Sequence, residues 1–181
     1  IITAYKSGYF PWFMPGDPII WHSPQKRAIF FPDEIKLHKS TKPFLKKYEV
    51  KFDHDFTSLI NLCYQSRDKN ETWLNDEILK AYIKLANLGI AHSVEVYFEN
   101  ELIGGLYGLI FGKVFCGESM VSIKKEAFVG ALISQNKSDD KKAFFDTFND
   151  IQIGELKVNT SDNSSRQIIY YGAPGTGKSH K

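Results

Sequence analysis

Residues 92–122 read HSVEVYFENELIGGLYGLIFGKVFCGESMVS. This stretch reads as three strands. Two tight turns divide them. Glu99-Asn100 closes the first hairpin and Phe111-Gly112-Lys113 the second. Gly104-Gly105 inside the middle strand predicts a bulge or a close backbone approach by a ligand.

Upstream, the apolar spacing changes from two to three and four. Over 75–89, Asn75 stands as a cap, Ile78, Leu79, Tyr82, Ile83 and Leu85 share one face, and Gly89 supplies the stop, predicting a helix. A second helix is predicted over 55–65, where Phe56, Leu59, Ile60, Leu62 and Cys63 follow an acidic cap. Before it, YEVKFD (48–53) alternates as a half-buried strand does, and RAIFFP (27–32) reads as a short apolar strand. Strand, helices and then an antiparallel meander predict an α+β domain.

Residues 1–24 are dense in aromatics and prolines. Pro11, Pro15, Pro18 and Pro24 forbid a continuous helix, so the segment reads as an ordered loop carrying Tyr9, Phe10, Trp12, Phe13 and Trp21. Those rings either pin the loop or wall a pocket that stacks on a flat ligand. Residues 36–51, KLHKSTKPFLKKYEVK, hold six lysines against one glutamate. Such a run is either a solvated face or a phosphate-backbone contact. Beyond about residue 127 the composition shifts to Asn, Ser and Asp, marking a boundary at 127/128. The chain then ends on a polar linker and IIYYGAPGTGKSHK.

At 181 residues there is room for one domain, or one domain and a fragment, and 43% hydrophobic with 24% charged residues is ordinary for a globular protein. A net charge of +2 does not by itself indicate nucleic acid or membrane. Cys63 and Cys116 lie far apart without a CxxC partner and read as reduced, buried thiols. His22, His38, His54 and His92 show no metal spacing and read as structural or surface residues. No apolar run is long enough to span a bilayer, and the chain opens Ile-Ile-Thr without an initiator Met, which suggests a short stretch before it.

Four stretches together, YKSGYFPWFMPGDPIIWHSPQKRAIFFP, TWLNDEILKAY, LGIAHSVEVYFENELIGGLYGL and FGKVFCGESMVS, resemble the bacterial leucyl/phenylalanyl-tRNA–protein transferases, in order and spacing, from about Ala4 to Ala127. The resemblance implies a small N-terminal segment (1–24) followed by a GNAT-like acyltransferase domain (25–127). It also implies a cytoplasmic enzyme that moves Leu, Phe or Met from aminoacyl-tRNA to the N-terminal Arg or Lys of a protein. An aminoacyl ester is already activated, so this chemistry calls for no covalent nucleophile, metal or cofactor.

By the same resemblance Trp73, Tyr82, Leu106 and Met120 line the slot for the donor's side chain, while Tyr107 and Trp12 stack on the terminal adenosine. Glu118, in CGESM, is implied to sit in the catalytic pocket and bind the substrate amine. On residues alone it reads as an outward-facing strand residue or a hydrogen-bonded structural acid. Glu95 reads as a strand residue facing solvent. Lys36, Lys39, Lys42, Lys46 and Lys47 are implied to receive the acceptor stem of the tRNA.

The family's text does not continue past 127: the strand with a catalytic Asp is missing, and Asp146 does not take its role. Loss of that half predicts an unpaired sheet edge, an uncovered apolar face and impaired transfer. The tail instead resembles the first strand and phosphate loop of an McrB-like AAA+ protein. Ile168, Ile169 and Tyr170 would form its strand, Gly172, Gly175 and Gly177 would approach phosphate, Lys178 would reach the outer phosphates and Ser179 would hold magnesium. With nothing following, that loop is vestigial, and nucleotide binding by it is not expected. The alternative reading is an inactive tRNA-binding fragment fused to the start of a P-loop NTPase.

Overall fold

The computed structural model describes residues 1–14, 16–24, 47–68, 72–112 and 114–124, and the backbone of 29–30 and 168–171. The predicted meander forms: β5 (Ala91–Phe98), β6 (Glu101–Phe111) and β7 (Val114–Ser122) pair antiparallel in sequence order. Glu99 and Asn100 both adopt left-handed backbone (φ 52° and 66°), the two-residue hairpin turn whose twist matches its strands. β4 (Glu49–Phe52) pairs antiparallel with β5 on the far side.

Two helices lie between β4 and β5 in the chain. α2 (Phe56–Gln65) is capped by Asp55, whose side chain accepts from the Ser58 N–H at 2.9 Å. α3 (Asp76–Asn87) is capped by Asn75, which accepts from the N–H groups of Glu77 and Ile78 at 3.0 Å each, and the chain leaves it through Gly89 at φ 67°. Both caps and the glycine stop stand where the sequence placed them. The N-terminal segment departs from a plain loop. One helical turn, α1 (Ile2–Lys6), precedes the first proline, and β1 (Phe10–Pro11) pairs with β2 (Trp21–His22) in a two-stranded ribbon. Prolines forbid helix only where they stand, and residues 2–6 are clear of them.

The sheet order is β3-β8-β7-β6-β5-β4, with β3 (Ile29–Phe30) and β8 (Ile168–Tyr171) completing it. The fold is α+β, mostly antiparallel. β7 does not end as the unpaired edge expected from its sequence. β8 pairs with it in parallel, Ile168 against Val114 through Tyr171 against Gly117, and so satisfies backbone groups that an edge strand leaves open.

Two cores flank the sheet. On the helix side Leu59, Ile60, Cys63, Trp73, Leu74, Ile78, Tyr82 and Leu85 pack with Tyr5, Phe10 and Phe13 against Tyr107, Leu109, Phe111 and Val121. On the other side Tyr48, Val94, Val96, Ile103, Leu106, Ile110 and Phe115 cluster, with Met120 packed against them. This second face is not the uncovered one expected from the sequence: Val94 and Val96 are fully buried and Phe115 is 1% exposed. Among the described residues no helix is long and apolar enough to cross a membrane.

The glycine pair of β6 has an internal explanation. A Cβ on Gly105 would stand 2.4 Å from the Val94 carbonyl oxygen and 2.8 Å from Leu59 Cδ1, so the close approach is made by β5 and α2, with no ligand needed. The bulge predicted there exists, and it falls at Ile103, skipped between the pairs Val96–Gly104 and Tyr97–Leu102.

Candidate functional site

A second bulge builds the site. Side chains on a strand alternate faces, so Cys116 and Val121, five residues apart, belong on opposite sides of the sheet. Both instead pack on the helix side. The extra residue is Glu118: Gly108 pairs with Gly117 and Tyr107 with Ser119, so Glu118 is the residue inserted between the two pairs. The insertion turns the side chains of two consecutive residues, Glu118 and Ser119, toward the helices. Gly108 makes room at this point, since a Cβ there would meet the Cys116 carbonyl oxygen at 2.2 Å.

Glu118 is 9% exposed and Oε2 accepts the Tyr82 hydroxyl proton at 2.8 Å. Tyr82 is fully buried on α3. Its hydroxyl lies 2.8 Å from that of Tyr5. Since Tyr82 spends its one proton on the carboxylate, Tyr5 donates to Tyr82, and a chain of two phenols runs from α1 through α3 to β7. Burial, and after it the Glu118 charge, push the hydroxyls of both Tyr5 and Tyr82 well above the ordinary tyrosine range. Trp73 crosses the Tyr82 ring edge-on at 6.4 Å and is 6% exposed. Aromatic walls of this kind keep water from a carboxylate and strengthen whatever polar contact it makes.

Ser119 is tied down separately. Arg67, in the turn after α2, donates from Nη2 to Ser119 Oγ at 2.7 Å. Beside this pair Tyr107 is fully buried, its ring edge-on to Tyr82 (5.5 Å) and Phe56 (5.6 Å), and its hydroxyl has no hydrogen-bond partner among the described residues. Burial, then the neighbouring Cys63 and Glu118, raise this phenol too. Cys63 is fully buried and burial pushes its thiol up to about 12; Cys116 is half-buried rather than buried, and neither is in a disulfide.

The sequence-predicted residues divide in space. Glu118, Tyr82, Trp73 and Tyr107 come together on the helix side. Leu106 and Met120 do not join them: they pair across β6 and β7 on the opposite face. A single slot lined by all four predicted residues therefore does not form among the described residues, because strand parity separates 106 from 107 and 120 from 119. Tyr107, predicted to stack on adenosine, offers no free face, being packed between two rings. Trp12 is 38% exposed on the β1–β2 ribbon, where its carbonyl accepts from His22 Nε2 at 3.0 Å and its ring tilts against the imidazole at 5.6 Å. Lys47 is exposed, its Nζ 4.9 Å from the Phe98 ring centre. Lys36, Lys39, Lys42, Lys46, Asp146, Gly172, Gly175, Gly177, Lys178 and Ser179 lie outside the described residues.

Glu95 does not face solvent. It is fully buried, accepting the Asp55 N–H at 3.0 Å on both oxygens and the Ser93 hydroxyl at 2.6 Å. Burial raises its carboxyl, and the bonds from Ser93 and Asp55 oppose the shift. Beside it Asp53 accepts the Ser93 N–H at 2.7 Å and meets His92 Nδ1 at 2.8 Å, while His92 Nε2 reaches the Gly89 carbonyl at 3.1 Å. These acids anchor the β4–α2 corner, which carries α2 and with it Arg67. Tyr5, Arg67 and Ser119 were not legible beforehand. Tyr5 stands in a single helical turn and Arg67 in a polar loop, and neither position bears a periodic signal.

An open cleft of about 590 Å³ lies next to this region, lined by Phe13, Gly16, Asp17, Tyr64, Leu74, Asn75, Asp76 and Glu77. Phe13 and Leu74 connect it to the core that holds Tyr82. No group of three or more His, Cys, Asp or Glu residues able to hold a metal ion occurs among the described residues.

The family model described as leucyl/phenylalanyl-tRNA protein transferase matches residues 29–161, past the composition change at 127/128, and the model of that family's N-terminal domain matches residues 1–25. The chain is 51% identical over 129 residues to the leucyl/phenylalanyl-tRNA–protein transferase of Aliivibrio fischeri (strain ATCC 700601 / ES114), covering 70% of this chain and 54% of that one. To the protein of the same name from Campylobacter jejuni (strain RM1221) it is 50% identical over 133 residues, covering 74% and 60%. It thus spans somewhat over half the length of these curated relatives.

Proposed function

Because the chain belongs to the leucyl/phenylalanyl-tRNA protein transferase family, we propose that it acts in the transfer of Leu, Phe or Met from aminoacyl-tRNA to the N-terminal Arg or Lys of a protein, in the cytoplasm. The observation that carries this reading is the Glu118 carboxylate, turned by a bulge into an aromatic wall and held there by Tyr82. In the reaction the free amine attacks the ester carbonyl carbon. The bond from that carbon to the ribose oxygen breaks, an amide forms, and the proton lost by nitrogen ends on the ribose hydroxyl. Glu118 accepts a hydrogen bond from the incoming amine and holds it in line with the ester, while Trp73 excludes water that would hydrolyse it. The phenol chain fixes the carboxylate's direction and leaves the proton traffic to the reacting amine.

In this reading residues 1–24 form the N-terminal segment and 25–127 the first part of a GNAT-like acyltransferase domain, Trp12 meets the terminal adenosine and Lys47 extends a basic face toward tRNA. Residues 128–181 would follow that part, with the family model reaching residue 161 and β8 joining the sheet.

Transfer of labelled Phe from Phe-tRNA to an Arg-initiated peptide tests the proposal. Transfer that is abolished by Glu118→Gln supports it. A chain that binds tRNA without transferring Phe is the binding fragment instead, and transfer unaffected by Glu118→Gln removes Glu118 from the reaction.

A further inference from the structure

We propose that Arg67 is a positioning residue for Glu118, acting through Ser119. Glu118 and Ser119 both face the helices only because one residue is inserted in β7. Without the insertion, alternation would turn one of the two to the opposite face, into the core of Val94, Ile110 and Phe115. The strand backbone does not choose between these arrangements by itself. Side-chain contacts do, and among the described residues two stand out: Tyr82 holds the Glu118 carboxylate at 2.8 Å, and Arg67 holds the Ser119 hydroxyl at 2.7 Å.

The two ties come from different elements, α3 and the turn after α2, and each grips one of the two displaced residues. Ser119 is 6% exposed, so its partner is a charged group reaching into a nearly dry site, where a charge-assisted bond is strong and directional. Arg67 is itself only partly exposed. Its guanidinium has a second influence at the same place, acting on the Tyr107 phenol and the Cys63 thiol, both fully buried. The cation is thus tied to the strand residue next to Glu118, through which it sets the direction of the carboxylate.

The transfer consequence rests on the reading above, but the tether itself does not, and the two are tested apart. With the full chain labelled at tyrosine Cζ with ¹³C, the Tyr82 signal is the one among nine tyrosines that disappears in Tyr82→Phe. Glu118→Gln gives its frequency when the charged acceptor is lost. Arg67→Ala and Ser119→Ala are expected to move the Tyr82 signal toward that frequency, and Arg67→Lys, which can still donate to Ser119, to leave it in place. Where Arg67→Ala does not fold, Ser119→Ala decides, because it removes only a hydroxyl. An unmoved Tyr82 signal in Ser119→Ala overturns the inference.

In the transfer assay Arg67→Ala lowers kcat about tenfold, the scale of one charge-assisted bond, with KM for aminoacyl-tRNA nearly unchanged. A raised KM with a weaker salt dependence and unchanged kcat would make Arg67 a phosphate contact and refute the positioning role. A wild-type chain that transfers no Phe refutes the transferase reading, while the Tyr82 signal still decides the tether.

Discussion

Tyr82→Phe removes one oxygen from a fully buried ring and leaves the packing volume almost intact, so its effect reports hydrogen bonding alone. The lost bond runs to a carboxylate that is 9% exposed, at 2.8 Å. A bond to a charged group in such a place is worth about 1.5–3 kcal/mol. The Tyr5 hydroxyl, released from Tyr82, can turn to Glu118, whose charge already acts on it. That recovery keeps the cost of the single substitution at about 2 kcal/mol, out of a total stability of about 5–15 kcal/mol.

Tyr5→Phe alone leaves Tyr82 on the carboxylate and costs less, about 1 kcal/mol. In the double variant neither phenol remains and Glu118 loses both donors, so the combined loss exceeds the sum of the singles by about 1 kcal/mol. Urea unfolding of the wild type, both single variants and the double variant, with m-values compared to check that the unfolding reaction is the same, measures each number. Additive losses, or a Tyr82→Phe variant within about 0.5 kcal/mol of wild type, would refute the relay from Tyr5 to Glu118.

Gly105→Ala is expected to destabilise the fold by about 2 kcal/mol or more, because the new Cβ meets a backbone oxygen of β5 at 2.4 Å and α2 at 2.8 Å, and the oxygen cannot move without breaking the ladder; thermal melting compared with wild type checks this, and an unchanged midpoint would mean that α2 is free to lift off the sheet. Tyr5, Tyr82 and Tyr107 all have raised hydroxyls in the folded chain. Their unfolded forms ionise near pH 10 while the folded ones stay protonated, so the stability they contribute is complete below about pH 10 and is lost as the pH rises beyond it. Urea midpoints measured from pH 8 to 11 should fall above pH 10, and a flat profile would place these phenols in water.

Much of the scaffold was legible because its determinants are local. Asp55 and Asn75 announce helix starts by the chemistry of their side chains, Gly89 announces a stop, and Glu99-Asn100 announces a hairpin, each within a few residues of the feature it fixes. CGESM stood out as well, though only through its resemblance to a family. What Glu118 does with its neighbours was not visible, since Tyr5, Tyr82 and Arg67 lie 113, 36 and 51 positions away in the chain by their numbers.

Glu95 shows the limit most directly. Strand alternation allowed it to face solvent or helix, and only the arrival of α2, presenting the Asp55 N–H, made burial of a carboxylate affordable. Leu106 and Met120 show it again, for their type suits an apolar slot but their parity, for Met120 fixed only once the bulge at Glu118 is counted, puts them on the other face from Tyr82. The sequence by itself determined the α+β plan, the caps, the turns and the family. The tertiary structure decided which face each strand residue serves and which distant side chains meet it, because a single inserted residue reverses parity along a strand, and that insertion is stabilised by contacts remote in sequence.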